Sequence, residues 1–131
     1  CKVQNGALIY RGVRLGNGVF IGPAAVLTND RLPRAVSPDG SLKHDEDWTV
    51  SPIEVGDGAS IGANATVVAG VTVGRWAMVG AGAVVTHDVA AHALVLGVPA
   101  RQTGWVCFCG EPAQGSGEIV CAACGRTFQA G

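Results

Sequence analysis

The chain has 131 residues, of which 48% are apolar and 15% are charged, a length and composition that suit one domain with a small appendix. Aromatic residues make up only 5%, while glycine accounts for 20 residues, so small and β-branched side chains have to fill the core, which favours strands. Nine basic against ten acidic residues, with no basic run and no long apolar stretch, argue against nucleic acid and membranes as partners.

A period of six residues runs along most of the chain. Aliphatic residues recur every six positions in two blocks, which are Val3, Ile9, Leu15, Ile21 and Leu27, then Val55, Ile61, Val67, Val73, Val79 and Val85. The fourth residue after ten of these eleven, all except Leu27, is Ala or Val, a pattern that a Gly- and Ala-rich low-complexity stretch would not maintain. Three hexads make one triangular coil of 18 residues, and coils would stack about 4.8 Å apart. The pattern predicts an all-β fold, a left-handed parallel β-helix (hexapeptide-repeat solenoid).

The period is interrupted between the two blocks by a long inserted loop, residues 28–54, which is rich in charged residues. Loops of this length inside a compact domain are usually functional or disordered. We expect a β-helix domain over residues 1–106 that contains this loop, followed by a tail over residues 107–131. Because the sequence begins inside a repeat, we also expect coils upstream of it.

Two motifs close the second block: Val79-Gly80-Ala81-Gly82-Ala83-Val84-Val85-Thr86 and Gly97-Val98-Pro99-Ala100-Arg101. They resemble the end of the hexapeptide-repeat acyltransferases, which use coenzyme A (CoA) thioesters. The chain also resembles the bacterial N-acetyltransferases of UDP-2-acetamido-3-amino-2,3-dideoxyglucuronate. This resemblance is carried by residues 1–5, the loop segments 27–29 and 33–35, and residues 100–107. The resemblance implies acetyl-CoA-dependent acetylation of a nucleotide-linked amino sugar for surface polysaccharide. It also implies a homotrimer that binds CoA between neighbouring solenoids, and we expect a cytoplasmic location.

The resemblance also implies a set of donor-site residues. Ala63 and Ala81, which the 18-residue coil should stack, and Thr86 would contact CoA, while Arg101 would meet its phosphates. A planar, permanently charged guanidinium suits that role. Plain packing of the two alanines and a solvated surface charge at Arg101 are the alternatives. The family often has Lys at the position of His87, so the resemblance does not imply a phosphate contact for His87.

On the acceptor side, Asn29 and Arg34 match loop positions of the sugar N-acetyltransferases. We expect Asn29 to orient the attacking amine and Arg34 to anchor the anionic sugar or phosphate, although Asn29 could simply start a turn. A sugar amine with a pKa of roughly 8 is largely free base at neutral pH, so positioning can do most of the work. An O-acetyltransferase of the same fold would need a base, for which the loop offers His44, flanked by Asp45 and Glu46.

Two further interpretations remain open. Some left-handed β-helices are zinc carbonic anhydrases with three His ligands, but only His87 and His92 stand in the solenoid blocks, so we expect both to be exposed corner residues. The alternative from outside the enzymes is a noncatalytic solenoid scaffold with a zinc ribbon that binds protein or nucleic acid, although the near-neutral charge argues against nucleic acid.

The tail carries four cysteines, as Cys107-Phe108-Cys109-Gly110 and Cys121-Ala122-Ala123-Cys124-Gly125. A C-x-C and a C-x2-C pair, each followed by Gly, is the arrangement of zinc knuckles, so we expect a small knuckle with a closed structural zinc site of four thiolate ligands. The tail is too small for its own apolar core, and metal binding would supply its folding energy. Disulfides are the alternative. Cys1 falls in a small inward slot of the repeat, and we expect it to be buried.

Overall fold

The computed structural model describes all 131 residues, and nearly all of its regular structure is β. In chain order the strands are β1 (Lys2–Val3), β2 (Leu8–Ile9), β3 (Arg14–Leu15), β4 (Phe20–Ile21), β5 (Val26–Leu27), β6 (Glu54–Val55), β7 (Ser60–Ile61), β8 (Thr66–Val67), β9 (Thr72–Val73), β10 (Met78–Val79), β11 (Val84–Val85), β12 (Ala93–Leu96), β13 (Arg101–Val106), β14 (Pro112–Ala113), β15 (Gly117–Val120) and β16 (Thr127–Ala130). The one helical segment is a 3-10 turn, Asp45–Asp47, in the inserted loop, and no helix has the length and apolar character of a membrane span.

The short strands stack into the three parallel faces of a left-handed β-helix. The first face has the order β1-β4-β7-β10-β12, the second β2-β5-β8-β11 and the third β3-β6-β9. Leu8 pairs with Val26, and Thr66 pairs with Val84, so partners lie 18 residues apart. Across the inserted loop, Val26 pairs with Thr66, 40 residues away. The predicted fold and its 18-residue coil are confirmed, and the loop leaves the solenoid at one corner without disturbing the register.

Glycines at the corners leave room for the backbone of the next coil. A Cβ atom on Gly62 would lie 2.6 Å from the backbone nitrogen of Ala81, and one on Gly22 would lie 2.6 Å from that of Ala63. A side chain would therefore push successive coils apart at these corners. The Gly that follows an aliphatic residue in many hexads is explained by this close approach.

The inward positions of the hexads form one continuous apolar core. Its fully buried members include Ile21, Ile61 and Val79 on the first face and Leu27 on the second. The first coil is more open than the others, and Val3 is 49% exposed. The expectation that Cys1 is buried is wrong: Cys1 is exposed, and its thiol donates to the carbonyl oxygen of Gly16 at 3.2 Å.

The solenoid passes directly into the tail. Strand β13 pairs antiparallel with β12 and then with β14, and β15 and β16 form a hairpin. The tail has its own small apolar cluster, which includes Ile119 and Phe128. Because this cluster rests on the last coil, the tail covers the end of the solenoid core.

A histidine joins the two parts. His92 is 4% exposed, and its Nδ1 lies 2.9 Å from the carbonyl oxygen of Val106. Its ring is stacked on that of Phe128 and meets Phe108 edge to face, each at 4.7 Å between centroids. The expectation of an exposed corner residue is therefore wrong for His92, because the tail packs over it, whereas His87 is exposed.

Candidate functional site

The inserted loop is tied to the solenoid at its base by Asn29. Its backbone carbonyl accepts a hydrogen bond from the amide of Ser51 at 2.8 Å, and its side-chain nitrogen Nδ2 donates to the carbonyl oxygen of Arg11 at 3.0 Å. Asn29 is only 7% exposed. Its side-chain Nδ2 thus has a structural partner, while Oδ1 accepts no hydrogen bond from the chain and keeps its capacity for a ligand.

Asn29 shares one corner of the solenoid with His87. Leu27 pairs with Val67 and Val67 with Val85, so the residues two positions beyond each of them continue the same column. Asn29 and His87 therefore lie two coils apart, at a distance of about 10 Å set by the strand spacing. The loop base and the residues around Thr86 face the same edge of the molecule.

The other two acceptor-side candidates lie on the outer part of the loop. Arg34 is exposed. His44 is also exposed, and its backbone amide donates to the carboxylate of Asp47 at 2.9 Å, while the Asp47 amide donates back to the His44 carbonyl oxygen at 3.0 Å. This reciprocal pair closes the 3-10 turn, so His44 begins a local turn, and neither His44 nor Arg34 borders the cavity in the loop.

The inserted loop encloses a cavity of about 360 Å³, which we call the loop cavity. It is lined by Asp30, Arg31, Leu32, Lys43, Asp47, Trp48, Thr49 and Ser51. The guanidinium of Arg11 lies 5.7 Å from the centroid of the Trp48 ring. The sequence pattern did not assign these residues to a site, although Trp48, the one aromatic residue of a highly charged loop, was an available signal.

The donor-side candidates lie on both sides of strand β11. Ala63 and Ala81 stack at the corner that precedes it, because the amide of Gly82 donates to the carbonyl oxygen of Ala63 at 2.8 Å. This is the stacking that the 18-residue coil requires. At the corner that follows β11, Oγ1 of Thr86 lies 2.9 Å from Nδ1 of His87.

Arg101 closes this region from the last coil. A turn over residues 97–100 is hydrogen-bonded to β11, since the amide of Val84 donates to the carbonyl oxygen of Gly97 at 3.0 Å and the amide of Ala100 donates to that of Val84 at 2.8 Å. A second cavity, of about 260 Å³, is bordered by both His87 and Arg101. The structure thus brings Thr86, His87 and Arg101 together, with Ala63 and Ala81 one strand away.

The four tail cysteines converge. Their Sγ atoms all lie within 4.8 Å of one another, with Cys107 and Cys124 3.6 Å apart and Cys109 and Cys121 3.7 Å apart. A disulfide needs about 2.05 Å, so no disulfide joins these sulfurs in the structure. Tetrahedral zinc with Zn–S bonds of about 2.3 Å requires sulfurs about 3.8 Å apart, and the Cys107–Cys124 and Cys109–Cys121 distances are close to that value.

The thiols differ in their surroundings. Backbone amides, first that of Cys124 and then that of Ala123, point at the sulfur of Cys121 and lower its pKa to about 7. Burial raises the pKa of Cys107 to about 12. A buried thiolate at Cys107 would need a cation beside it, and a bound metal ion would provide that charge.

Comparisons with known proteins agree with this geometry. Residues 52–87 match the bacterial transferase hexapeptide family (six repeats). The chain is 40% identical over 72 residues to the dTDP-3-amino-3,6-dideoxy-alpha-D-galactopyranose 3-N-acetyltransferase of Aneurinibacillus thermoaerophilus, a match that covers 55% of this chain and 38% of the relative. It is 37% identical over 108 residues to serine acetyltransferase 4 of Arabidopsis thaliana, which covers 79% of this chain and 29% of the relative.

Among solved structures, a hexapeptide-repeat acetyltransferase of Vibrio cholerae in complex with acetyl-CoA superposes with a TM-score of 0.55. The two are 25% identical, and the match covers 72% of this chain and 61% of that one. The chain spans only 38% and 29% of the length of the two sequence relatives named above. The relatives share a transferred acetyl group and differ in the acceptor that their names give.

Proposed function

We propose that the chain belongs to the hexapeptide-repeat acyltransferases and forms part of an acetyl-CoA-dependent N-acetyltransferase whose acceptor is the amino group of a nucleotide-linked amino sugar. The observation that carries the proposal is the shared corner of Asn29 and His87, which puts the acceptor-side loop base and the donor-side cluster on one edge of the solenoid. The amino-sugar acetyltransferase of A. thermoaerophilus supports this acceptor class.

The donor would lie along the edge that carries Ala63, Ala81 and Thr86. Two stacked alanines at a corner let an extended pantetheine arm approach the backbone closely. Arg101 borders the adjacent cavity and is exposed, so its guanidinium is accessible to the phosphates of CoA. The acetyl-CoA complex of the V. cholerae structure supports the donor assignment.

The chemistry needs little from the protein beyond placement. The free amine attacks the thioester carbonyl carbon, the C–N bond forms as the C–S bond breaks, and the amine proton leaves with the CoA thiol or passes to water. In this scheme Oδ1 of Asn29 accepts a hydrogen bond from the amine and aligns its lone pair, and Arg34 would steady an anionic part of the sugar. Bringing the two reactants into attack geometry accounts for the main rate gain.

A hydroxyl acceptor is the alternative. It would need a base to take its proton during attack, and His44 is the one histidine of the loop. Its exposed position outside the loop cavity favours the amine.

We also propose that the active form is a homotrimer in the cytoplasm. As the resemblance to the acyltransferases implies, a neighbouring subunit would complete the donor groove along the edge of each solenoid. Four reduced thiols and a nucleotide-linked substrate suit the cytoplasm.

The tail, in this proposal, holds one structural zinc ion through Cys107, Cys109, Cys121 and Cys124. When bound, the ion would act as a closed, four-coordinate cross-link with no open position for substrate. Strand β13 begins at Arg101 and ends at Val106, next to Cys107. A fixed tail would therefore steady the strand that carries Arg101.

Thiol release from acetyl-CoA tests the function. UDP- and dTDP-linked amino sugars are offered in turn, each beside the matching sugar with a hydroxyl in place of the amine. The proposal expects release that depends on the amine. Release with the hydroxyl sugars alone, or with none of the panel while acetyl-CoA binds, would contradict it.

A further inference from the structure

We propose that the loop cavity binds the nucleoside diphosphate portion of the acceptor, with the base stacked on Trp48 and the phosphates held by Arg31 and Lys43. The inference rests on the proposed function, to which it adds the recognition of the nucleotide.

The cavity wall carries two cations, Arg31 and Lys43, and two carboxylates, Asp30 and Asp47. Each carboxylate accepts a hydrogen bond from a backbone amide: Asp30 from that of Leu32 at 3.0 Å, and Asp47 from that of His44 at 2.9 Å. Arg31 is exposed and Lys43 is half-buried, so both cationic groups are accessible to an anion in the cavity. Two cations on one cavity wall are suited to a diphosphate.

The Arg31 side chain passes close to the solenoid at Gly70. Its Nη1 atom lies 3.1 Å and its Cδ atom 3.5 Å from where a Cβ atom on Gly70 would stand. The missing side chain at Gly70 gives the guanidinium its room. Arg31 is exposed, so its guanidinium contacts the next coil on one side and remains open to a ligand on the other.

Trp48 supplies a flat surface for a base. It is half-buried, directly follows the 3-10 turn, and borders the cavity. The guanidinium of Arg11 near the ring helps to hold the indole in position. Stacking on an aromatic ring accepts any base, and a volume of about 360 Å³ is within the range of small-ligand pockets.

The position of the cavity agrees with the chemistry of the acceptor. Arg31 follows Asn29 by two residues, and Ser51, which donates its amide to Asn29, lines the cavity. A nucleotide held there would extend its sugar towards the loop base. The amine would then approach the corner shared by Asn29 and His87.

Calorimetric titration of UDP and dTDP into the full chain tests the site. We expect Arg31→Ala and Lys43→Ala each to weaken nucleotide binding by about tenfold or more, and Trp48→Ala to do the same. Trp48→Phe, which keeps an aromatic face, should stay within about threefold of the parent. Arg126→Ala, which removes an exposed charge in the tail, is the control and should bind as the parent does.

CoA carries the same chemistry in its adenosine diphosphate portion, so acetyl-CoA is titrated into every variant. We expect its affinity to be unchanged. The proposed site would be overturned if all three alanine variants bound the nucleotide as the parent does. It would also be overturned if the variants lost affinity for acetyl-CoA and kept their affinity for the nucleotide.

The result separates this site from the proposed function. If Arg31→Ala loses nucleotide binding but the parent acetylates no amino sugar, the nucleotide site is supported and the proposed function is rejected. Acetylation of an amino sugar with the same KM in parent and Arg31→Ala would retain the function and reject the site.

Discussion

The ring of His92 lies stacked on the ring of Phe128, with 4.7 Å between centroids and 17° between planes. One residue comes from the last coil of the solenoid and the other from the final hairpin of the tail. The histidine is thus the point where the cysteine-bearing tail closes the end of the β-helix core.

Replacing His92 should therefore weaken the join between solenoid and tail. His92→Ala removes a buried ring and its hydrogen bond to Val106, and we expect a loss of about 2 kcal/mol or more in the free energy of unfolding. His87→Ala, at an exposed position, should stay within about 0.5 kcal/mol. Urea unfolding of both variants measures the difference, and equal stabilities would show that the aromatic contact is not needed.

Metal analysis tests the tail. Protein purified without chelator should contain about one zinc ion per chain, and Cys121→Ser should lose it because a closed site needs all four sulfurs. Cys1→Ser, which changes the one cysteine outside the cluster, should keep the metal. Chelator should also lower the Tm of the parent. If the protein contains no zinc and the four sulfurs are oxidised, the tail holds disulfides and not a metal site.

The donor site is tested by Arg101→Ala. A charge-assisted bond to phosphate contributes roughly 1.5 to 3 kcal/mol, so the affinity for acetyl-CoA should fall by at least about tenfold. A truncated acetyl thioester without phosphates should react equally well with parent and variant, and Arg75→Ala serves as a control at a distant corner. If Arg101→Ala impairs the use of acetyl-CoA and of the truncated thioester equally, Arg101 does not bind the phosphates.

The acid–base question is tested by Asn29 and His44. With an amine acceptor, His44→Ala should leave kcat within a few-fold, whereas loss of a true general base typically costs about 10² to 10⁴ in rate. Asn29→Ala should be the more damaging change, because Oδ1 of Asn29 is the group assigned to the amine. A hundredfold loss in a folded His44→Ala variant would instead support a hydroxyl acceptor.

The regular part of the fold was predictable because its packing is periodic. Each coil repeats the environment of the one before, so the spacing of Val67 and Val85 already predicts that they pair. Stacking of Ala63 on Ala81 follows from the same rule. Four cysteines at knuckle spacing likewise predict their own convergence, because the turns that bring them together are local.

What the sequence did not predict depends on contacts without a period. His92 occupies an ordinary corner of the repeat and is buried only because the tail folds back over it. The loop cavity depends on how residues 30–51 pack on the solenoid, and Arg31 meets Gly70 across a long stretch of chain. Such contacts are set by tertiary packing, which no spacing rule describes.

The bond formed in the product tests the central claim most directly. The protein is incubated with acetyl-CoA and a nucleotide-linked amino sugar that carries both a free amine and free hydroxyls, and the product is analysed by NMR. We predict a single acetyl group joined to the sugar nitrogen as an amide. An acetyl ester on oxygen, or unchanged sugar in the presence of bound acetyl-CoA, would contradict the assignment as an amino-sugar N-acetyltransferase.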